Sequence, residues 1–327
     1  MASFRQRGGK WQARVLRNGY PDQTKTFETK ADAEKWARAL ESEIDKGQFV
    51  NVSEAQRTTL GDVIARYLAE VTPSMKGAVE DTIRLKAIMR RPIARWSMAN
   101  LSAARIASYR DERLKEVSAG TVIRELAYFS AIVNHARREW GINVPNPVQM
   151  VRKPQSPQAR SRVLSDEEVT KLLMALEPTG RRSHWTKPAV QLALATAMRR
   201  GELLSLRWED VDLQNRTAFL PDTKNGESRT VPLSSTAVQV LEGLPRHISG
   251  AVFPVKFFTL DAAFKRGLRR VSLEGIRFHD LRRTAITRMA EKLPNVIELA
   301  AVSGHKSLMV LKRYYRPTAS ELAQKLG

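Results

Sequence analysis

Residues 279–314 read HDLRRTAITRMAEKLPNVIELAAVSGHKSLMVLKRY and combine three chemical features in one stretch. His279 and Arg282 stand three positions apart, so a helix would present both side chains on one face. An imidazole beside a guanidinium suits a phosphate or a carboxylate. Tyr314 follows His305 by nine residues, among lysines and arginines that would lower the cost of a phenolate. The stretch therefore predicts a site for an anion, with Tyr314 as the candidate nucleophile.

The composition of the chain is basic and free of cysteine. Its 327 residues are 42% hydrophobic, which predicts two or three domains with packed cores. The formal net charge of +21 favours a polyanionic partner, most naturally DNA or RNA, and exceeds the charge that solubility alone needs. Without cysteine the sequence excludes disulfides, thiolate zinc sites and cysteine nucleophiles, and it fits a reducing cytoplasm.

No part of the sequence predicts a membrane span or export. Apolar runs stay shorter than the roughly 18 residues that a spanning helix needs. The first residues, MASFRQRGGK, lack the apolar core of a signal peptide. We therefore expect a cytoplasmic, nucleoid-associated protein.

Residues 1–48 predict a three-stranded sheet followed by a helix. Turn signals at Gly8-Gly9 and Asn18-Gly19 separate short strands with alternating apolar residues. Thr29 is a candidate cap for the helix. The basic residues of the sheet would either lie along a DNA groove, as in β-ribbon readers, or form a solubilising face. They are Arg5, Arg7, Arg14 and Arg17.

Residues 58–150 predict a four-helix bundle with short connections, because four apolar stripes recur at helical spacing. The bundle carries a basic side, which we interpret as a surface for DNA phosphates, with a solvated face as the alternative. Its residues are Lys76, Arg84, Lys86, Arg90, Arg91 and Arg95.

A linker separates the bundle from a third predicted domain at residues 160–327. The segment MVRKPQSPQARSR, residues 150–162, contains two prolines and little apolar content. Ser165 and Glu168 then match a capping box that opens a helix. The expected fold is multidomain α+β: a small sheet with a helix, a four-helix bundle, and a mostly helical domain with a small sheet.

Two further segments of the third domain carry charged residues at informative spacings. Arg199 and Glu202 lie three apart near the start of a helix. The carboxylate would hold the guanidinium for a ligand, or form only a structural salt bridge. Asn225-Gly226 predicts a β-hairpin, which puts Lys224 at a loop tip, either near a site or as a solvated turn lysine.

These candidates occur without a metal-binding motif. The sequence has no P-loop and no His-Glu-x-x-His segment. Phosphoryl transfer without a metal needs fixed cations, and arginine is always ionised and can bind two oxygens at once. The residues therefore favour phosphoryl transfer with no metal and no cofactor.

The order and spacing of these segments resemble the signature of the tyrosine recombinases, or phage integrases. The resemblance covers nearly the whole chain, and three segments are also similar to the shufflon-type DNA invertases of that family. Ala197 departs from the glycine of many relatives, and Arg283 from a second histidine. The matching segments are Thr196-Ala-Met-Arg199-Arg-Gly-Glu202, Thr223-Lys224, His279-Asp-Leu-Arg282, Ser303-Gly-His305-Lys and Tyr314.

The resemblance implies that three parts of the chain form domains with different functions. Residues 1–48 would form an arm-site DNA-binding domain, residues 58–150 a helical, SAM-like core-binding domain, and residues 160–327 the catalytic domain. Double-stranded DNA would be the substrate and a homotetramer the active assembly, with a C-terminal helix exchanged between protomers. DNA-bending accessory proteins would suit an arm domain, although no residue identifies them.

The resemblance also implies a mechanism. Tyr314, which the family spacing selects over the adjacent Tyr315, attacks a DNA phosphate and forms a 3′-phosphotyrosine. The 5′-hydroxyl leaves with a proton from Lys224, and two such exchanges pass through a Holliday junction without metal or ATP. The supporting roles are phosphate binding by Arg199, Arg282 and His305, proton acceptance by His279, and orientation of Arg199 by Glu202.

Two other functions remain open from the sequence. A type IB topoisomerase-like enzyme would form the same adduct, but relaxation of DNA needs no site choice and hence no additional DNA-binding domains. A DNA-binding regulator without chemistry would have a degraded catalytic set, whereas this set is intact.

Overall fold

The computed structural model describes residues 2–46, 53–158, 160–180, 183–221, 228–314 and 319–327. The chain divides into two compact units, residues 1–159 and 160–327. Helices predominate, and the described residues also form two three-stranded antiparallel sheets. The predicted mixture of many helices and small sheets is therefore present, whereas the further division into domains at 1–48, 58–150 and 160–327 remains a prediction.

The first unit begins with a sheet covered by one helix. Gly8 and Gly9 have φ of 54° and 79°, left-handed values that permit the tight turn between the first two strands. Val15 lies on the inner face and packs against the helix, whose N-cap Thr29 accepts a hydrogen bond from the amide of Asp32 at 3.2 Å. The elements are β1 (Ala2–Arg7), β2 (Lys10–Val15), β3 (Gln23–Phe27) and α1 (Lys30–Asp45).

The rest of the first unit is helical and encloses an apolar core. Leu126, Phe129 and Ile132 are 0% exposed at its centre, because their spacing points them to one side of the longest helix. The helices are α2 (Ser53–Arg57), α3 (Leu60–Glu70), α4 (Ala78–Met89), α5 (Ala103–Glu116) and α6 (Ala119–Glu139). A 3₁₀ turn at Pro147–Met150 packs Val148 into the same core.

The second unit contains nine helices and a small sheet among its described residues. Ser165 and Glu168 form the predicted capping box at the start of its first helix. The helices are α7 (Asp166–Ala175), α8 (Thr186–Thr196), α9 (Arg200–Ser205), α10 (Ser235–Glu242), α11 (Phe257–Arg270), α12 (Phe278–Lys292), α13 (Val296–Ser303), α14 (Leu308–Leu311) and α15 (Ala319–Leu326). The strands are β4 (Val211–Asp212), β5 (Thr217–Leu220) and β6 (Arg229–Pro232).

Helix α8 is the centre of the second unit. Ala189, Val190 and Leu192 are 0% exposed, and the helix packs against α7, α10, α11 and α12. A smaller apolar cluster lies at the end of this helix, where Ala197 meets residues of α12, α13 and α14. This cluster joins the end of α8 to three consecutive helices about 80 positions or more further along the chain, and the candidate residues lie around it.

Among the described residues, no helix combines the length and the apolar character that crossing a membrane requires.

Candidate active site

Arg199 and Glu202 are held by the sharp turn between α8 and α9. Ala197 ends α8 in the left-handed conformation, with φ of 54° and ψ of 19°, and α9 begins three residues later at Arg200. The amide of Arg199 donates to Glu202 Oε2 at 2.8 Å, and its Nη1 donates to Oε1 at 2.6 Å. Glu202 thus caps the helix and fixes the guanidinium, with only 5% of its surface exposed.

The carboxylate of Glu202 stays ionised although it is buried. Burial acts to raise the pKa of Glu202, but the amide of Arg199 and the charges of Arg229 and Arg199 outweigh it and hold that pKa below its usual value. Nη2 of Arg229 donates to Glu202 Oε2 at 2.7 Å, and Nη1 of Arg282 lies 4.0 Å from the same oxygen. One anion therefore stabilises three cations at the centre of the site.

Arg282 lies within α12 and is 3% exposed. Its Nη1 donates to the carbonyl of Ala197 at 2.5 Å, and its Nη2 donates to the carbonyl of Ser303 at 2.6 Å. Burial and then the charge of Arg199 lower the pKa of Arg282 to about 10, so the group is still charged at neutral pH. Since a guanidinium has five N–H donors, these two bonds leave others for a ligand.

Three arginines converge on the carboxyl-terminal turn of α13. Besides the bond to Ser303, Arg229 Nη1 donates to the carbonyl of Val302 at 3.0 Å, and Arg199 Nη2 to that of Gly304 at 3.4 Å. The last carbonyls of a helix lack partners within the helix and carry its negative end, so cations are favourable there. The three guanidinium groups are therefore held by the same turn.

His305 follows this turn with its tautomer fixed by a serine. Ser303 Oγ donates its only proton to the carbonyl of Leu299 at 2.6 Å and lies 2.8 Å from His305 Nδ1. The hydroxyl must therefore accept from Nδ1–H, which leaves Nε2 of a neutral ring as an acceptor. Burial, followed by the charges of Arg282 and other nearby arginines, lowers the pKa of His305 to about 4.

His279 lies in the first turn of α12 and remains exposed. Partial desolvation of the ring, together with the charges of Arg282 and Arg283, lowers the pKa of His279 from its usual value. A neutral imidazole at physiological pH can accept a proton, which is what a general base requires.

Tyr314 lies in the turn that follows α14, half-buried beside the apolar cluster at the end of α8. Its ring centroid is 6.4 Å from that of His305, and the guanidinium carbon of Arg283 lies 5.5 Å from its ring centroid. Arg283 thus puts a cation near the phenol. Tyr315 lies outside the described residues.

The structure brings together Arg199, Glu202, Arg282, His305 and Tyr314, with His279 beside them. Lys224 lies outside the described residues. Reasoning from the sequence missed Arg229, because its contacts with Glu202 and Val302 join segments that are distant along the chain. Ser303 was noted only as part of a matching segment, and its role appears in its bonds with Leu299 and His305. Among the described residues, no group of His, Cys, Asp or Glu is arranged to hold a metal ion.

The predicted DNA-contacting residues lie on the first unit, and several are engaged in ion pairs. Cross-strand pairing puts Arg5, Arg7 and Arg14 on the outer face of the sheet, opposite the face covered by α1. The paired residues are Arg14 with Asp22, Arg17 with Asp45, Arg84 with Asp81 and Arg91 with Glu116. Of the predicted residues, those that are exposed and form no ion pair within the described part of the chain are Arg5, Arg7, Lys86, Arg90 and Arg95.

Comparison with known proteins identifies the family to which the chain is similar. Residues 162–321 match the phage integrase family, and residues 56–154 match the N-terminal domain of phage integrases. A Haemophilus influenzae protein described as an integrase/recombinase is 36% identical, over 98% of this chain and 89% of its own length. The shufflon-specific DNA recombinase of Escherichia coli is 39% identical, over 83% of this chain and 72% of its own length.

The fold also has a solved counterpart. A lambda integrase tetramer bound to a Holliday junction superposes with a TM-score of 0.64 at 21% identity, over 93% of this chain and 95% of that one. At this identity the likeness shows the fold, which is mostly helical with small sheets as predicted. The family itself follows from the sequence matches over most of the chain: the protein belongs to the phage integrase family, the tyrosine-type site-specific recombinases.

Proposed function

We propose that this recombinase cleaves and rejoins double-stranded DNA through Tyr314. The observation that carries the proposal is the convergence of Arg199, Arg282 and His305 on one helix end, with the phenol of Tyr314 beside them. Fixed cations in a largely buried site stabilise charge that develops on a phosphate without reorganising during the reaction. A phosphodiester flanked by these groups is the substrate that the geometry favours.

In the proposed step, Tyr314 Oη forms a bond to the scissile phosphorus while the bond to the 5′-oxygen breaks. The phenolic proton passes to His279, and Lys224 supplies a proton to the leaving 5′-oxygen. The resulting 3′-phosphotyrosine keeps the ester energy, so a free 5′-hydroxyl of another strand can reverse the step without ATP. Arg199, oriented by Glu202, binds the non-bridging oxygens together with Arg282.

The first unit would hold the DNA. We assign arm-site contact to residues 1–48 and core-site contact to residues 58–150, supported by the outward basic face of the sheet and the exposed basic residues of α4. Two successive exchanges through a Holliday junction require four protomers. The lambda integrase tetramer that shares this fold is bound to such a junction, which supports a homotetramer here.

The first experiment maps the DNA site and tests the nucleophile. The protein is incubated with DNA that carries its own gene and flanking sequences, and the product junctions are sequenced. A labelled duplex spanning the mapped junction should then form a covalent adduct with the wild-type protein. Tyr314→Phe should bind this duplex and form none, while Tyr315→Phe should keep the adduct. EDTA should leave the adduct yield unchanged.

The opposite pattern would assign the reaction to the neighbouring tyrosine: an adduct that persists in Tyr314→Phe and disappears in Tyr315→Phe. Relaxation of supercoiled DNA without any recombinant junction would favour a topoisomerase-like activity instead. The absence of both adduct and junctions with the wild-type protein would contradict the proposed chemistry as a whole.

A further inference from the structure

Arg229 occupies the centre of the site although the sequence does not single it out as a candidate. It begins β6, and its side chain is 13% exposed. We propose that Arg229 is a positioning residue for DNA cleavage, acting by holding Glu202 and the carboxyl-terminal turn of α13. The inference rests on the proposed function, because it concerns the rate of the same cleavage step.

The contacts of Arg229 join two parts of the site that carry the phosphate-binding groups. One terminal nitrogen donates to Glu202 Oε2 at 2.7 Å, and the other donates to the carbonyl of Val302 at 3.0 Å. Glu202 is the residue that fixes Arg199, and Val302 precedes the turn that leads into His305. Arg229 therefore links the α9 side of the site with the α13 side through one rigid, planar group.

The space for this guanidinium exists because residue 304 is a glycine. Gly304 has a φ of 67°, and a Cβ built there would lie 2.5 Å from Arg229 Nη1. Any other side chain at this position would displace the guanidinium or the turn. The backbone is thus shaped around Arg229, which is unusual for an arginine that merely forms a surface ion pair.

Removing Arg229 would leave Glu202 with one cationic partner fewer and the carbonyl of Val302 without its donor. Glu202 Oε2 already lies 4.0 Å from Arg282 Nη1, so the carboxylate would be free to move towards that remaining cation. Such a move would draw Arg199 and Arg282 away from the positions that suit a phosphate. A displacement of about 1 Å in a positioned group can slow a reaction by roughly 100-fold.

The test compares arginine variants in single-turnover cleavage of the duplex mapped above. Arg229→Met should lower the cleavage rate about 100-fold, while the Kd for the same duplex changes less than about threefold. Arg229→Lys keeps the charge but cannot reach both acceptors. It should cleave about tenfold faster than Arg229→Met and about tenfold more slowly than the wild-type protein. Arg288→Met is the matched control, since Arg288 forms an exposed ion pair with Asp166 on the same unit, and it should cleave like wild type.

A second comparison tests whether Arg229 acts through Glu202. If it does, the double variant Arg229→Met/Glu202→Gln should cleave about as slowly as Glu202→Gln alone, because coupled residues do not add. Thermal unfolding is measured for every variant. Should Arg229→Met fail to fold, the folded Arg229→Lys decides the matter by its rate.

Cleavage by Arg229→Met within about threefold of the Arg288→Met rate would overturn the inference, as would a wild-type rate in Arg229→Lys. A loss of duplex binding as large as the loss of rate would assign Arg229 to DNA binding instead and equally overturn it. These results differ from a failure of the proposed function, in which the wild-type protein itself forms no adduct.

Discussion

Ala197 is the residue at which the site carries backbone strain. It has φ of 54° and ψ of 19°, is 0% exposed, and its carbonyl accepts a hydrogen bond from Arg282. The left-handed region costs an L-residue with a side chain about 1–2 kcal/mol, whereas glycine enters it freely. The strained turn puts the carbonyl where the arginine needs it.

We predict that Ala197→Gly is much less destabilising than the same change elsewhere in the buried part of α8. Ala193→Gly is the control, because Ala193 is 1% exposed within the helix. It should lower the free energy of unfolding by about 2 kcal/mol through lost burial and helix propensity. Because Ala197→Gly relieves strain, its loss of unfolding free energy should be smaller than that of Ala193→Gly by about 1–2 kcal/mol. Equal losses in denaturant titrations would mean that the turn is unstrained.

For individual residues, the sequence predicted only contacts between positions that lie close together along the chain. Arg199 and Glu202 were expected to interact because three positions span almost one helical turn, and they do. Arg229 reaches the same carboxylate from a strand 27 positions further on, and it also reaches the carbonyl of Val302 at the end of α13. Such contacts depend on how α9, β6 and α13 pack together, which no periodicity encodes.

The elements were predictable where a cap or a turn signal stands beside an apolar stripe. Thr29 and Ser165 begin the helices that their capping patterns predicted. The hairpin signal at Asn225-Gly226 lies between β5 and β6, which pair antiparallel. The roles and boundaries of the three domains stay predictions.

The C-terminal helix α15 is a candidate for contacts between protomers. Its Leu326 is 87% exposed, and a short helix with an exposed apolar residue needs a partner surface to be stable. We predict that deletion of residues 317–327 weakens pairing of two DNA sites at least tenfold while binding to one site stays nearly unchanged, because α15 would dock on a neighbouring protomer. Gel-shift assays on one-site and two-site DNA measure both. Equal weakening of both would indicate docking within its own protomer.

For the whole molecule, the bond from Ser303 to Leu299 has a consequence for DNA engagement. Neutral His305 offers only an acceptor at Nε2, so it must first gain a proton to donate to a phosphate oxygen. In the free protein, burial opposes this charge most strongly, followed by Arg282, Arg199, Arg229 and His279. A bound phosphodiester offsets the repulsion by these cations. The pKa of His305 should therefore be higher in the DNA complex than in the free protein.

Association with DNA near pH 6 should therefore absorb on the order of half a proton, because the pKa of His305 rises from about 4 towards its ordinary value. Titration calorimetry in buffers of different ionisation enthalpy would record this uptake as a buffer-dependent heat, reduced in His305→Gln. Identical heats in all buffers would mean that the imidazole stays neutral against the phosphate. A serine hydroxyl that points away from the substrate would thus make recognition of the double helix sensitive to acidity.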